Sequence, residues 1–268
     1  MFEDLDWEDV TPPAGRLDPV ESDARDSLRE FFERNRQRVY FSRQLEVQNE
    51  DRYFHWITNR AIRDLESEGL VLSETRRLSS GGTIKLLWHR RFRYYKREAA
   101  KLIELVNEYA DPNIGAALGL QGEALILEGF ASIEFVMKGR DSNEFGGQSW
   151  TESDHDMDFI FEHNDKAYGI EVKNTLGYMD RMEFDTKIRL CHHLGIRPVF
   201  AARMLPKSWI NDLITAEGFA LIIKYQLYPW AHRELAKRVR SELGLPVDAP
   251  RRLSTGTMAR FLRWHTGV

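Results

Sequence analysis

Met157-Asp-Phe-Ile-Phe161 and Ala167-Tyr-Gly-Ile-Glu-Val-Lys173, joined through His163-Asn-Asp-Lys166, are the segments on which the fold turns. Asn-Asp between two runs of β-branched and aromatic residues predicts a β-hairpin. Residues two apart in a strand share a face, so Glu171 and Lys173 point the same way, and Asp158 on the partner strand converges with them. Two carboxylates at one place repel unless a cation lies between them, and hard oxygen ligands suit Mg2+ or Mn2+. The simpler alternative is an exposed hairpin whose charges face water. Against it stands the nearly continuous apolar character of both runs, since charge embedded in a buried strand is costly unless paired or metal-bound.

Asp158 followed after about a dozen residues by Glu171-Val172-Lys173 resembles the pattern of the PD-(D/E)xK, or restriction-endonuclease-like, nucleases. His155-Asp-Met-Asp-Phe-Ile160 is similar to the acid-x-Asp-apolar strand of the Holliday-junction-resolvase branch. The resemblance covers roughly Ile114 to Tyr228. It implies an αβββαβ core with a mixed central sheet, and a divalent ion held by Asp158, Glu171 and the Val172 carbonyl. Lys173 would orient an attacking water or help deprotonate it. It also implies an upstream helical glutamate at the metal site, for which Glu123 is the nearest match and Glu128 the second. Asp156 is either an auxiliary ligand or strand-edge solvation. Lys187, on the next helix, either contacts the scissile phosphate or is a surface lysine.

Composition bounds the remaining classes. The chain has 268 residues, 42% of them hydrophobic, enough for one large or two ordinary domains. No apolar run is expected to span a membrane and the first residues are acidic, so a cytoplasmic location is expected. Cys191 is the single cysteine, which excludes an intrachain disulfide and suits a reducing compartment. His155, His163, His192 and His193 lack the i, i+4 spacing of a zinc site with a third ligand in view.

The net charge of −4 conceals segregation. Lysines and arginines number 3 against 11 acids over residues 1–33, 16 against 8 over 34–101, 11 against 20 over 102–228, and 8 against 3 over 229–268. An acidic core flanked by basic segments is what a polyanion ligand would be drawn to, through counterion release at the flanks.

In the basic segment, helices are expected at Ser27–Arg38, Ser42–Val47 and Arg52–Glu68, the last stopped by Gly69. Strands follow at Leu70–Thr75 and Thr83–Trp88, around a flexible basic tip at Arg76–Gly82. Three helices and a hairpin resemble a winged helix-turn-helix domain. Ile57, Ala61 and Leu65 would face its core, leaving Arg52, His55, Trp56, Asn59, Arg60 and Arg63 to read double-stranded DNA, with Arg76 and Arg77 at the wing. Winged helices also dock proteins, and Trp56 would then be a partner anchor. Trp88–Arg97 alternates arginines with aromatics, suited to gripping a nucleic-acid backbone or to packing the next helix.

The expected organisation is thus an acidic flexible tail at 1–24, a winged-helix DNA-binding domain at 25–97, a connecting helix at 98–112, a nuclease domain at 113–228 and a helical extension at 229–268. Helices at Ile114–Glu128, Glu183–Leu194 and Ser208–Ala216 alternate with strands at Ile133–Lys138, Pro198–Ala202 and Phe219–Tyr225. Gly139–Trp150 is read as a long functional loop. The C-terminal helices complete the nuclease domain or supply a homodimer contact. Together these expectations describe a Mg2+-dependent DNA endonuclease. A catalytically silent DNA-binding regulator of the same fold and an RNA nuclease are the alternatives.

Overall fold

The computed structural model describes residues 18–267. Among these the chain is a mixed α/β protein with nine α-helices and a mixed five-stranded sheet. These residues divide into two compact units, one built from residues 18–115 together with 238–245, the other from 116–237 together with 246–267.

In the first unit, α1 (Pro19–Arg34) starts where the Val20 N–H donates to the Asp18 carboxylate at 2.9 Å and Pro19 occupies the first turn. Ala24, Leu28 and Phe32 recur every fourth residue and are buried. The flexible tail expected over 1–24 therefore ends sooner, because residues 19–24 are helical; positions 1–17 lie outside the described residues. Next come β1 (Val39–Phe41), α2 (Ser42–Asn49), α3 (His55–Ser67), β2 (Val71–Arg77), β3 (Thr83–His89) and α4 (Tyr95–Tyr109).

The strand β1 was not expected: with only three residues it carries too little pattern to be read, yet all three are buried and pair with β3, giving an antiparallel sheet of order β1-β3-β2. Ile57, Ala61 and Leu65 do face the core. Arg52, expected on the third helix, sits in the preceding turn, because Tyr53 is buried and its hydroxyl donates to Asp23 at 2.5 Å. The tip at 76–82 is tied down rather than flexible: Leu78 is buried, and the Ser79 N–H and hydroxyl both reach Asn107 Oδ1, at 2.8 and 3.0 Å. The C-terminal extension is not one body. Its residues 238–245 belong to this unit, where Gln44 and Gln48 donate to the Leu243 carbonyl at 2.9 and 2.7 Å.

The second unit contains most of α5 (Pro112–Ser132), then β4 (Val136–Ser142), β5 (Glu144–Phe145), β6 (Gln148–Ser149), β7 (Met157–His163), β8 (Lys166–Lys173), α6 (Arg181–His193), β9 (Arg197–Ala202), α7 (Lys207–Thr215), β10 (Phe219–Ile222), β11 (Gln226–Leu227), the start of α8 (Arg233–Leu243), β12 (Val247–Asp248) and α9 (Thr255–Thr266). Its sheet has the order β10-β9-β8-β7-β4, antiparallel from β4 through β8 and parallel from β8 through β10. The β7–β8 turn is Asn164-Asp165, both at positive φ (51° and 59°), the geometry an Asn-Asp hairpin requires. Contrary to the expected long loop at 139–150, β4 runs on to Ser142 and a second hairpin, β5–β6, follows. Gly146 and Gly147 make its turn with φ of 60° and 81°.

By length and composition α5 is long and apolar enough to cross a membrane, against the expectation that no such run exists. Its apolar residues have a partner here, since Leu125, Ile126 and Phe130 are buried with Tyr168, Ile170 and Phe261.

Strand β8 is the central strand of the sheet, paired on both edges, and helices cover both its faces. Tyr168 and Ile170 join the α5 and α9 side, while Gly169 and Glu171 face α6. A Cβ at Gly169 would stand 2.7 Å from Cys191 Sγ and 3.0 Å from Ile196 Cδ1. Glycine there lets α6 lie close to the sheet, and one helical turn before Cys191 is Lys187, directly available to Glu171 two residues along the strand. Gly169→Ala should therefore lower stability by about 1–3 kcal/mol, the usual cost of overpacking, measured by urea unfolding of the full chain.

Candidate functional site

The hairpin places its charged residues at the end where the β7–β8 ladder opens. The last paired residues there are Phe159 and Ile170; one step beyond them come Asp158 and Glu171. In place of a strand carbonyl, Asp158 Oδ2 accepts the Val172 N–H at 2.6 Å. The acid is thereby aimed at the Glu171-Val172-Lys173 segment by the backbone of that segment itself.

Glu171 is 2% exposed. Its Oε2 accepts a hydrogen bond from the Lys187 ammonium, itself only 5% exposed, and its Oε1 is 3.4 Å from Lys173 Nζ. Lys173 also donates to Glu183 Oε1 at 2.8 Å. Lys187 is thus a buried member of the cluster, not a surface lysine. The Gly169 contact explains why: α6 is too close to the sheet for its inward lysine to escape to water.

Burial pushes the Glu171 carboxyl up to about 7, the Asp158 charge pushes the same way, and Lys187 and Lys173 pull it back. Asp158 is also raised, by burial first, while the Val172 N–H and Lys187 oppose the shift and the charge of Glu123 adds to it. Burial alone would draw the Lys173 ammonium down, but Glu171 and Glu183 outweigh it and the net direction is up. Lys173 is consequently an ammonium at neutral pH. Burial raises the Cys191 thiol, and the Glu171 charge adds to the shift, so Cys191 offers no thiolate.

Glu123 comes to the same region on α5. Gly122 makes this approach possible, since a Cβ there would stand 2.7 Å from Asn174 Cβ and 3.3 Å from Val172 Cγ1. The Glu123 carboxylate is held by Arg140 at 3.2 Å, and among the described residues no three His, Cys, Asp or Glu side chains form a ready metal cluster. The alternative glutamate, Glu128, pairs with Arg252 at 3.1 Å. Asp156 lies just ahead of β7, outside the strand.

Three contributors escaped the sequence reading. Glu183 is the second partner of Lys173, and its i, i+4 spacing from Lys187 on one helix face was the available signal. Asn174 is buried and fastens the end of β8: its Nδ2 donates to the Leu118 and Leu227 carbonyls, both at 2.7 Å, and its Oδ1 accepts the Leu227 N–H at 2.6 Å. Arg140 orients Glu123. Asn174 and Arg140 carry no local pattern that marks them.

The residues expected to read DNA stand differently. Arg60 is bound to Glu21 of α1 and stacks on Trp56 at 5.2 Å, and Arg52 pairs with Asp23 at 3.4 Å. His55 is half-buried, as is Asn59, while Arg63 and Arg77 are exposed. Arg76 is exposed and pairs with Glu74 at 2.8 Å.

No family model, curated protein or solved structure matches the chain. The geometry of the cluster is therefore the ground on which a function is argued.

That cluster fits a divalent cation by donor chemistry. The Asp158 charge raises the proton affinity of the buried Glu171 carboxylate and the Glu123 charge raises that of Asp158, while the Lys187 and Lys173 ammonium groups offset burial and repulsion only in part. Lys187→Met should destabilise the chain at pH 8 by about 3–5 kcal/mol, because it removes the hydrogen-bonded partner of a buried carboxylate and leaves only Lys173 at 3.4 Å. The loss should shrink at pH 5.5, where Glu171 takes up a proton instead, and should be largely recovered in Lys187→Met/Glu171→Gln. Thermal unfolding at the two pH values measures both effects.

Proposed function

We propose that the protein is a Mg2+-dependent phosphodiesterase acting on DNA, with a restriction-endonuclease-like catalytic unit and a winged-helix unit that engages the substrate. The observation that carries this reading is the convergence of Asp158, Glu171 and Lys173 at the open end of one hairpin, with Glu171 buried and only partly neutralised. The order α5, β4, β7, β8, α6, β9 supports it as an αβββαβ core interrupted by the β5–β6 hairpin. In the first unit, the order α1, β1, α2, α3, β2, β3 with sheet order β1-β3-β2 supports the winged-helix reading.

Asp158, Glu171 and the Val172 carbonyl would hold the ion, with Glu123 nearby. A divalent cation bound there polarises a phosphodiester and lowers the pKa of a coordinated water. Lys173, kept as an ammonium by Glu171 and Glu183, would position an attacking water by hydrogen bonding and offset charge developing on the phosphorus oxygens. Lys187 holds the Glu171 carboxylate on its α6 side and so sets which oxygen faces the substrate.

Asp158→Asn or Lys173→Ala should abolish magnesium-dependent nicking of plasmid while leaving DNA affinity within a few-fold. Cleavage retained in either variant refutes the assignment, and tight binding without cleavage by the unaltered chain favours a silent DNA-binding protein. Proton and cation compete for Glu171, whose folded-state pKa is about 7. Apparent Mg2+ affinity, measured by calorimetry, should be flat above about pH 8 and fall by up to about tenfold per pH unit below 7.

A further inference from the structure

The five cations of residues 90–97 form a surface unlike the rest of the first unit. Arg90, Arg91, Arg93, Lys96 and Arg97 are exposed, and among the described residues none has a side-chain ion pair or hydrogen bond. Elsewhere in this unit, acids hold the arginines that face them: Glu21 holds Arg60, Asp23 holds Arg52, Glu68 holds Arg29 and Glu74 holds Arg76. A phosphate approaching Arg52 or Arg60 meets the carboxylates of α1. At 90–97 there is no acid at all.

The segment is also rigidly presented. The Arg90 N–H donates to the Leu70 carbonyl at 2.9 Å, the Phe92 N–H to the His89 carbonyl at 2.8 Å, and the Arg91 N–H to the buried His89 ring at 3.2 Å. Tyr95 stacks on Trp88 with centroids 3.9 Å apart and planes at 6°, closing the turn from the other side. Between these anchors Tyr94 is 82% exposed, the most exposed of the large hydrophobic residues described. Lys96 and Arg97 lie in the first turn of α4, where the helix dipole disfavours cations and favours an anion.

We propose that this surface, and not the α3 face, is where the first unit binds nucleic acid, and that its ligand is an unpaired stretch. The arginines grip the backbone and Tyr94 stacks on a base, a combination that selects single strands because the rings of a duplex are already stacked. The inference rests on the proposed function only in taking nucleic acid as the ligand; it does not depend on cleavage.

The test is equilibrium binding of the full chain to labelled oligothymidylate and to a duplex of equal length, in magnesium-free buffer across a salt series. Arg90→Ala/Arg91→Ala/Arg93→Ala should weaken oligothymidylate binding about tenfold or more and flatten its log–log salt slope by about 2, since each lost contact to a single strand removes about 0.7. Tyr94→Ala should cost about 5- to 150-fold on the single strand and less than about twofold on the duplex, with Tyr94→Phe restoring it. Arg60→Ala should bind like the unaltered chain. Circular dichroism melting confirms that the variants are folded.

Single-strand affinity unchanged in the triple variant, equal loss on both ligands from Tyr94→Ala, or no binding by the unaltered chain would each overturn the inference. Plasmid cleavage that depends on Asp158 would leave the catalytic reading standing in all three cases. Conversely, a chain that binds through this surface but cuts nothing keeps this inference and loses the other.

Discussion

A carboxylate with almost no access to water, in an interior strand of a five-stranded sheet, is the constraint around which the second unit is arranged. Glu171 cannot stay ionised on its own at that depth, and the structure answers with two ammonium groups from different directions: Lys187 across from α6 and Lys173 two residues on. Asp158 then works against this balance by adding a second negative charge from β7. An apolar core would be simpler and no less stable. The proposed cation site rests on this meeting of two oxygen donors, one of them held at depth by two ammonium groups.

Two glycines make the arrangement sterically possible. Gly169 lowers α6 onto one face of β8 so that Lys187 reaches Glu171, and Gly122 brings α5 against Val172 and Asn174 so that Glu123 comes near Asp158. Asn174 then ties the end of β8 to α5 and to β11 with three side-chain hydrogen bonds. The geometry of the acids is thus set by close backbone approach and by buried hydrogen bonds. Neither contributes charge to the site.

The first unit shows the same separation of structural and available charge. Most arginines on and around α3 are engaged by acids of the same unit, so the richness of basic residues in the sequence overstates what is free for a ligand. What remains unpaired is concentrated where β3 turns into α4, on a backbone held by His89, Leu70 and the Trp88–Tyr95 stack.

The hairpin, its Asn-Asp turn and the shared face of Glu171 and Lys173 were legible from sequence because strand periodicity and turn chemistry are local. The alternation of helices and strands from α5 to β10 was legible for the same reason. The short strand β1, the β5–β6 hairpin and the start of α1 were not, since two or three residues carry no period and a buried Tyr53 or Trp150 gives no local sign of its partner. Only tertiary structure decided that Lys187 is buried against Glu171, that residues 238–245 belong with the first unit, and that Arg60 is taken by Glu21. Each of these joins residues distant in the chain or on facing elements. Their meeting depends on how closely backbones can pack, and no local pattern encodes that.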